Sequence, residues 1–343
     1  MENWISTLTE NGVTISQDEH FVEASAATAG AVIPLLHQSL LSVDGPDTDK
    51  FLQGQLCCDV ELARETGSLL GAHCNVKGHM ISLFRLIATD SGFLLRLHRD
   101  ILAPAATTLK KYIIFSKAEV TNANENLVGI GLQGEQAEAL AKCAADVIPA
   151  EVNQATVNGN RYLVRVPGDR FELWLPDTDA IGLLPSLLKI GALGSTNDWL
   201  LSEIQAGIPD LRAETSEAFI PQMTNFQALD GVSFKKGCYT GQEIITRLQH
   251  RGQLKRPMYR LQVHTQNCPA PGSTLHSSER ENIGKVVIAA QSSPDSCEVL
   301  AVLIKDIADT GDIHLESMTG PLASVEALPY TLDPAMFEPK TRL

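Results

Sequence analysis

Residues 236–243 read Lys236-Gly237-Cys238-Tyr239-Thr240-Gly241-Gln242-Glu243. Thr240 with Glu243 three residues on has the spacing of a capping box, so a helix is predicted to start here with Thr240 as N-cap and Glu243 at N3. Ile244, Ile245 and Leu248 would form its buried stripe, and Gly252 is placed to end it. Cys238 then stands two residues ahead of the cap, near the positive end of the helix dipole and beside Lys235 and Lys236. All three influences favour thiolate. The alternative is a small buried hydrophobe, the ordinary behaviour of an unpaired cysteine.

Outward from the octapeptide, residues 235–260 carry seven basic side chains (Lys235, Lys236, Arg247, Arg251, Lys255, Arg256, Arg260) and one acid, Glu243. That is a net of +6 inside a chain of net −14, with 27 Lys and Arg against 41 Asp and Glu. Such a run is ordinarily a solvated helix face. The chain as a whole repels phosphate backbones and anionic lipid, so any polyanion needs a local basic patch.

The 343 residues suffice for two or three domains, and 44% hydrophobic with 20% charged residues excludes a disordered chain. No apolar stretch approaches the roughly 18 to 20 residues needed to span a bilayer, so no membrane partner is expected. Residues 1–14 contain Glu2 and Glu10, no Lys or Arg and no apolar core, so neither a secretory nor a transit leader is expected and the location is expected to be cytoplasmic. Seven cysteines without a Cys-x-x-Cys pair point to reduced thiols.

Periodicity gives a coarse α+β layout. A strand at 39–43 is followed by the turn Asp44-Gly45-Pro46 and a helix over 47–55, and hairpins are predicted from 80–88 with 92–98 and from 161–166 with 171–175. Helices are predicted at 99–112, 135–147, 179–190 and 197–205, with a strand at 127–132. The rhythm suits two related halves of the ferredoxin-like type, antiparallel sheets with helices on one face. After Pro257, short strands at 258–263, 283–289 and 299–304 predict a small β-barrel. The expected division is 1–118 and 119–255 as the α+β regions, with exchange of segments allowed, 256–330 as the barrel, and 331–343 as a loose tail.

The octapeptide resembles the signature of the YgfZ family of folate-binding proteins, relatives of the T-protein (aminomethyltransferase) of the glycine cleavage system. Its companions are Phe219-Ile220-Pro221-Gln222, Asn225, residues 231–234, Gln53-Gly54-Gln55 with Asp59-Val60, Lys77-Gly78, and Lys110-Lys111-Tyr112 with Phe115-Ser116-Lys117. The likeness runs from about residue 40 to 256 and weakly into the barrel. It implies three domains around a central opening that holds tetrahydrofolate or a related reduced folate. It also implies a role in maintaining iron–sulfur enzymes, and through one of them the thiomethylation of some tRNAs.

A folate site needs an aromatic platform, a group that reads the pterin edge, and cations for the glutamate tail. The resemblance places Trp199 as platform, the alternative being a Trp packed on a domain core, and Gln205, with Glu203 two residues earlier, at the ring edge; Arg251 is a candidate cation, and Cys238 with Lys236 and Tyr239 the candidate reactive centre. T-proteins have Glu where this chain has Gln205, and the second tryptophan expected near Gln38 is missing. They also carry an Asp pair where this chain reads His79-Met80-Ile81-Ser82-Leu83. Without that acid–base group, typically worth about 10²- to 10⁴-fold in rate, independent T-protein activity is not expected.

Cys57, Cys58, His73, Cys74 and His79 could suggest a soft metal site, but their spacing is poor and no metal is expected. Two readings compete with a folate-binding accessory protein: a folate-dependent aminomethyl or methyl transferase, and a protein that grips tRNA directly through residues 235–260. The indirect route to tRNA is the expectation, with iron–sulfur enzymes or assembly proteins as partners and a monomeric chain.

Overall fold

The strand Gln38–Asp44 runs antiparallel to Gly92–His98 along its whole length, from Gln38 opposite His98 to Asp44 opposite Gly92. These strands are central in a five-stranded sheet ordered Ser68–Cys74, Met80–Ala88, Gly92–His98, Gln38–Asp44, Glu119–Asn122. The computed structural model in which this is seen describes residues 1–16, 20–24 and 29–338. The predicted hairpin 80–88/92–98 is found within its expected bounds.

By its internal contacts the chain divides into two units. Met1–Leu52, Val60–Leu70 and Phe84–Trp199 form one, while Gln53–Asp59, Gly71–Leu83 and Leu200–Leu343 form the other. This division falls elsewhere than at the expected boundaries, 118 and 255. Two short excursions, at 53–59 and 71–83, belong with the C-terminal part, and the octapeptide shares a unit with the β-rich residues after 256.

The first unit holds a six-stranded sheet ordered Ala155–Asn158, Arg161–Val166, Arg170–Leu175, Val128–Gln133, Ala31–Pro34, Ala192–Leu193. All its pairs are antiparallel except the last, which is parallel. Because strand residues alternate faces, Val32, Ile130, Leu132 and Leu173 pack on Trp4, Leu8, Leu140 and Leu184 of the helices Glu2–Glu10, Ala137–Ala144 and Asp177–Leu187. Ile33, Val164 and Trp174 share a second core with Leu40, Ile87 and Leu94 of the five-stranded sheet.

Buried in this unit, Glu172 accepts from Arg96 Nη2 at 2.7 Å and from Trp174 Nε1 at 3.2 Å, with Arg85 Nε at 3.8 Å. Burial would raise its carboxyl, but the two guanidiniums and the indole N–H outweigh burial and hold it below the usual carboxylate range.

The second unit contains a six-stranded antiparallel sheet ordered His314–Leu315, Thr274–His276, Gly284–Ser293, Ser296–Leu303, Met258–Val263, Ala323–Glu326. A bridge between His314 and Leu322 joins its two edges, and the long strand Gly284–Ser293 is bent by two register shifts, at 286–288 and 291–293. This is the all-β element expected after Pro257.

The tail departs from expectation. The turn Pro334–Met336 is capped by Asp333, Leu254 N–H donates to Met336 O at 2.8 Å, and Gln253 Nε2 donates to Phe337 O at 2.7 Å. Residues 333–337 are thus tied down, and the end of the expected loose tail, 339–343, lies outside the described residues. No helix among the described residues is long and apolar enough to cross a membrane.

Candidate functional site

The helix after the octapeptide spans Gln242–Arg251 and closes at Gly252 as expected, but its N-cap is Gly241, with φ of +84°, and Glu243 falls at N2. Thr240 does not cap. Its hydroxyl lies 3.3 Å from Gln55 Oε1, to which it donates, and its backbone N–H donates to Gly54 O at 3.3 Å. A left-handed cap suits glycine, and this position admits no side chain, since a β-carbon would lie 2.5 Å from Asn75 O and 3.2 Å from Gly78 Cα. Gly78, at φ of +77°, in turn lets the 75–79 turn rest against Ile244 and Ile245. Of the predicted stripe Ile245 is buried, and Ile244 and Leu248 are half-buried.

Lys236 is a strut. Its Nζ donates to Leu56 O at 2.9 Å and to Cys58 O at 2.7 Å, and it lies 5.2 Å from the Tyr239 ring centre. The expected role beside the Cys238 thiol gives way to this one, because two carbonyl oxygens of the 56–58 bend take the ammonium. Tyr239 is 6% exposed, and its hydroxyl has no hydrogen-bond partner among the described residues. Burial, followed by the neighbouring Cys57, Cys74 and Cys58, pushes its phenol far up. Tyr239 therefore stays neutral and walled in, which removes it from the reactive centre where the sequence placed it.

Behind Tyr239, Cys57, Cys58 and Cys74 are buried. Cys57 and Cys58 lie in a bend rather than the strand that would point them apart, and Cys57 Sγ lies 3.1 Å from Gly231 O. Burial works against ionisation of Cys57, but the Cys74 thiol, backbone N–H groups and the Lys236 charge bring its pKa down, while Cys58 and Cys74 are raised. His73 is held neutral by burial, its pKa lowered to about 4. Among the described residues no group of three or more His, Cys, Asp or Glu side chains could hold a metal ion.

Cys238 differs from all three buried thiols. It is exposed, as is Gly237, three residues ahead of the N-cap on a loop fixed at Lys236, Tyr239, Thr240 and Gly241. The arrangement offers a thiol to solvent on a rigid support, able to add to an electrophile or exchange with a disulfide.

The residues assigned to folate are not assembled by these contacts. Trp199 is 1% exposed inside the first unit. The Arg170 guanidinium lies over its ring at 4.5 Å, and Gly131 packs on it so closely that a β-carbon would sit 2.5 Å from the ring. As packed, Trp199 is a core residue with no open face, which corrects its reading as a platform. Gln205 is exposed in the second unit, and its Nε2 donates to Glu298 Oε1 at 2.9 Å, while Arg260 Nε donates to Glu298 Oε2 at 2.7 Å. A carboxylate only accepts, so the Gln205 amide nitrogen must face it and the carbonyl oxygen is left to read a ligand. Glu203 is buried, and Arg251 is exposed in the last turn of its helix, about 14 Å along the axis from Gln242. Gln205 and Arg251 have the chemistry of a ring-edge reader and of a tail cation, and Trp199, as packed, lacks the open face of a platform.

Glu217 was missed. It sits at φ of +60°, its backbone N–H donates to Met80 O at 2.8 Å, and its Oε2 accepts from Asn75 Nδ2 at 2.7 Å. It sets a carboxylate beside residues 79–83, where the sequence has none. Nothing local in the sequence announces a glutamate in left-handed backbone.

No family model matches the chain. It is 35% identical over 318 residues to the tRNA-modifying protein YgfZ of Cronobacter sakazakii, covering 91% of this chain and 96% of the relative. The protein of the same name from Escherichia coli O127:H6 is 34% identical over 315 residues, covering 89% and 96%. That from Klebsiella pneumoniae is 36% identical over 303 residues, covering 87% and 92%. In fold the chain is similar to the glycine cleavage system aminomethyltransferase T from Bartonella henselae, with a TM-score of 0.74 at 17% identity over 94% of this chain and 96% of that one.

Proposed function

The chain belongs to the family of the tRNA-modifying protein YgfZ, and from that premise we propose that it is a cytoplasmic, tetrahydrofolate-binding accessory protein that supports iron–sulfur enzymes and thereby the thiomethylation of some tRNAs. The observation that carries this reading is Cys238, exposed on a loop that Lys236, Thr240 and Gly241 anchor to residues 54–58 and 75–78. A loop so firmly fixed around one accessible thiol is built to present that thiol.

In this reading Gln205, oriented by Glu298, accepts from the pterin edge, and Arg251 meets the anionic glutamate tail. A bound reduced folate supplies one-carbon or reducing capacity. The chain itself contributes the nucleophilic sulfur and a fixed place for it. Its partners are iron–sulfur enzymes or their assembly proteins, and tRNA is changed by such an enzyme rather than by this chain.

Replacing Cys238 by Ala tests the thiol. The variant is expected to keep its fold and folate affinity and to fail to restore thiomethylated nucleosides, read by mass spectrometry of total tRNA, in cells lacking the protein. Full restoration would remove the thiol from the function. Glu217, a carboxylate beside the strand that lacks the T-protein aspartates, favours a second reading as a folate-dependent transferase. Turnover of an aminomethylated or N-methylated donor with tetrahydrofolate, abolished by Glu217→Gln, would establish that alternative.

A further inference from the structure

Two segments of this acidic chain are conspicuously basic, and only one exposes aromatic rings. In residues 235–260, Lys236 is tied to two carbonyls, Arg260 to Glu298, Tyr239 is buried and Tyr259 packs on the β-sheet core. Residues 110–117 are the opposite case. They contain three lysines and no acid, and Lys110, Lys111 and Lys117 are all exposed. None of these three has an ion-pair partner among the described residues. Phe115 is 98% exposed, Ile114 74% and Tyr112 47%.

The local fold explains the projection. The helix Leu102–Tyr112 gives way to a 3-10 turn over Ile113–Phe115, closed by Ser116 N–H donating to Ile113 O at 2.8 Å. Directly after it, Lys117 N–H donates to Asp47 Oδ2 at 2.7 Å and Lys117 O accepts from Asp47 N–H at 3.2 Å. The turn thus runs from the helix end to an anchored Lys117, with Ile114 and Phe115 in water.

We infer that residues 110–117 dock single-stranded RNA, with an unpaired base stacking on Phe115 and phosphates held by Lys110, Lys111 and Lys117. A ring standing almost wholly in solvent has faces free for bases, and every base has a π-face to offer. Protein-docking patches, by contrast, are depleted of lysine. This goes beyond the proposed function, which needs no contact between chain and RNA.

The test is fluorescence anisotropy of the full chain with three labelled RNA probes, a 12-nucleotide single strand, a hairpin with a seven-base loop and a blunt duplex, at 50 and 200 mM salt. The strand and hairpin are expected to bind and the duplex to bind more weakly. Phe115→Ala should weaken strand binding about tenfold, as loss of one base–aromatic stack does, and Phe115→Trp should keep it. Replacing the three lysines by Ala should flatten the dependence of log affinity on log salt by about 2. These side chains are exposed, so the variants should retain the wild-type circular dichroism.

Absence of binding by the wild type at 50 mM salt overturns the proposal, as does unchanged binding by Phe115→Ala. Loss of binding only on replacing Arg247 and Arg251 assigns RNA to the other segment and overturns it too. So does binding of an acidic peptide, sensitive to Phe115→Ala, without binding of any RNA, which would make the patch a protein contact.

Discussion

The two glycines of the octapeptide offer a paired prediction, because the structure treats them differently. Gly237 has open space within 4 Å and no positive φ, so Gly237→Ala should change stability by no more than about 0.5 kcal/mol, as an ordinary surface substitution does. Gly241 caps the helix at φ of +84°, and a β-carbon there meets the Asn75 carbonyl oxygen at 2.5 Å. Left-handed backbone costs a residue with a β-carbon roughly 1–2 kcal/mol. Overlap with a backbone atom that cannot swing aside adds about 1–3 kcal/mol, the range for overpacking. Gly241→Ala should therefore cost roughly 2–5 kcal/mol, concentrated where the helix start meets the 75–78 turn. Since a chain of two units need not unfold in one step, amide hydrogen exchange read peptide by peptide is the suitable assay. Faster exchange over residues 240–248 and 72–80 in Gly241→Ala, with Gly237→Ala matching wild type, is the expected pattern. Equal exchange in the two variants would refute the packing argument for the Cys238 loop.

Tyr239→Phe should be neutral or stabilising by up to about 1 kcal/mol and should leave function intact, because it deletes a buried hydroxyl that has no partner; loss of activity with unchanged stability would restore Tyr239 to the chemistry. His73 ionises at about 4 in the fold against 6.5 when unfolded. Between those values the unfolded chain binds a proton that the native chain excludes. Stability is thus expected to fall by about 3 kcal/mol as pH drops from 6.5 to 4, a loss confined to that window. Urea midpoints across the window should show a shallower slope in His73→Leu, and an undiminished slope would contradict the assignment. Trp199→Ala should destabilise the first unit by about 3–5 kcal/mol through the cavity it opens. A variant as stable as wild type would mean that Trp199 is not the core residue its packing indicates.

Legibility in the sequence followed the range of the interactions. Met80–Ala88, Gly92–His98, Arg161–Val166 and Met258–Val263 were readable because β-branched and leucine-rich runs end at turn residues, a local signal. Glu2–Glu10 was not assigned, although Trp4 and Leu8 already show the four-residue spacing that its burial uses. Short strands such as Ala31–Pro34 and Ala192–Leu193 owe their existence to partners far along the chain, and no window of sequence contains those partners.

At the site, the companion segments Gln53-Gly54-Gln55 and Lys77-Gly78 were singled out by resemblance, and their contacts with Thr240 and Ile244 explain why they accompany the octapeptide. The capping role of Thr240 was misread because a glycine one residue later, able to enter left-handed backbone, competes for the same function. Lys236 and Tyr239 were misplaced for a related reason: sequence adjacency to Cys238 does not say which way a side chain points. Trp199 illustrates the limit for large aromatics, which serve equally as platforms and as core, and only its neighbours Gly131 and Arg170 decide.

Calorimetric titration of the purified full chain with tetrahydrofolate tests the account at its centre. A saturable heat with one ligand per chain, weakened in Gln205→Leu, is the predicted result. A wild-type chain that takes up no ligand at millimolar concentration would contradict it.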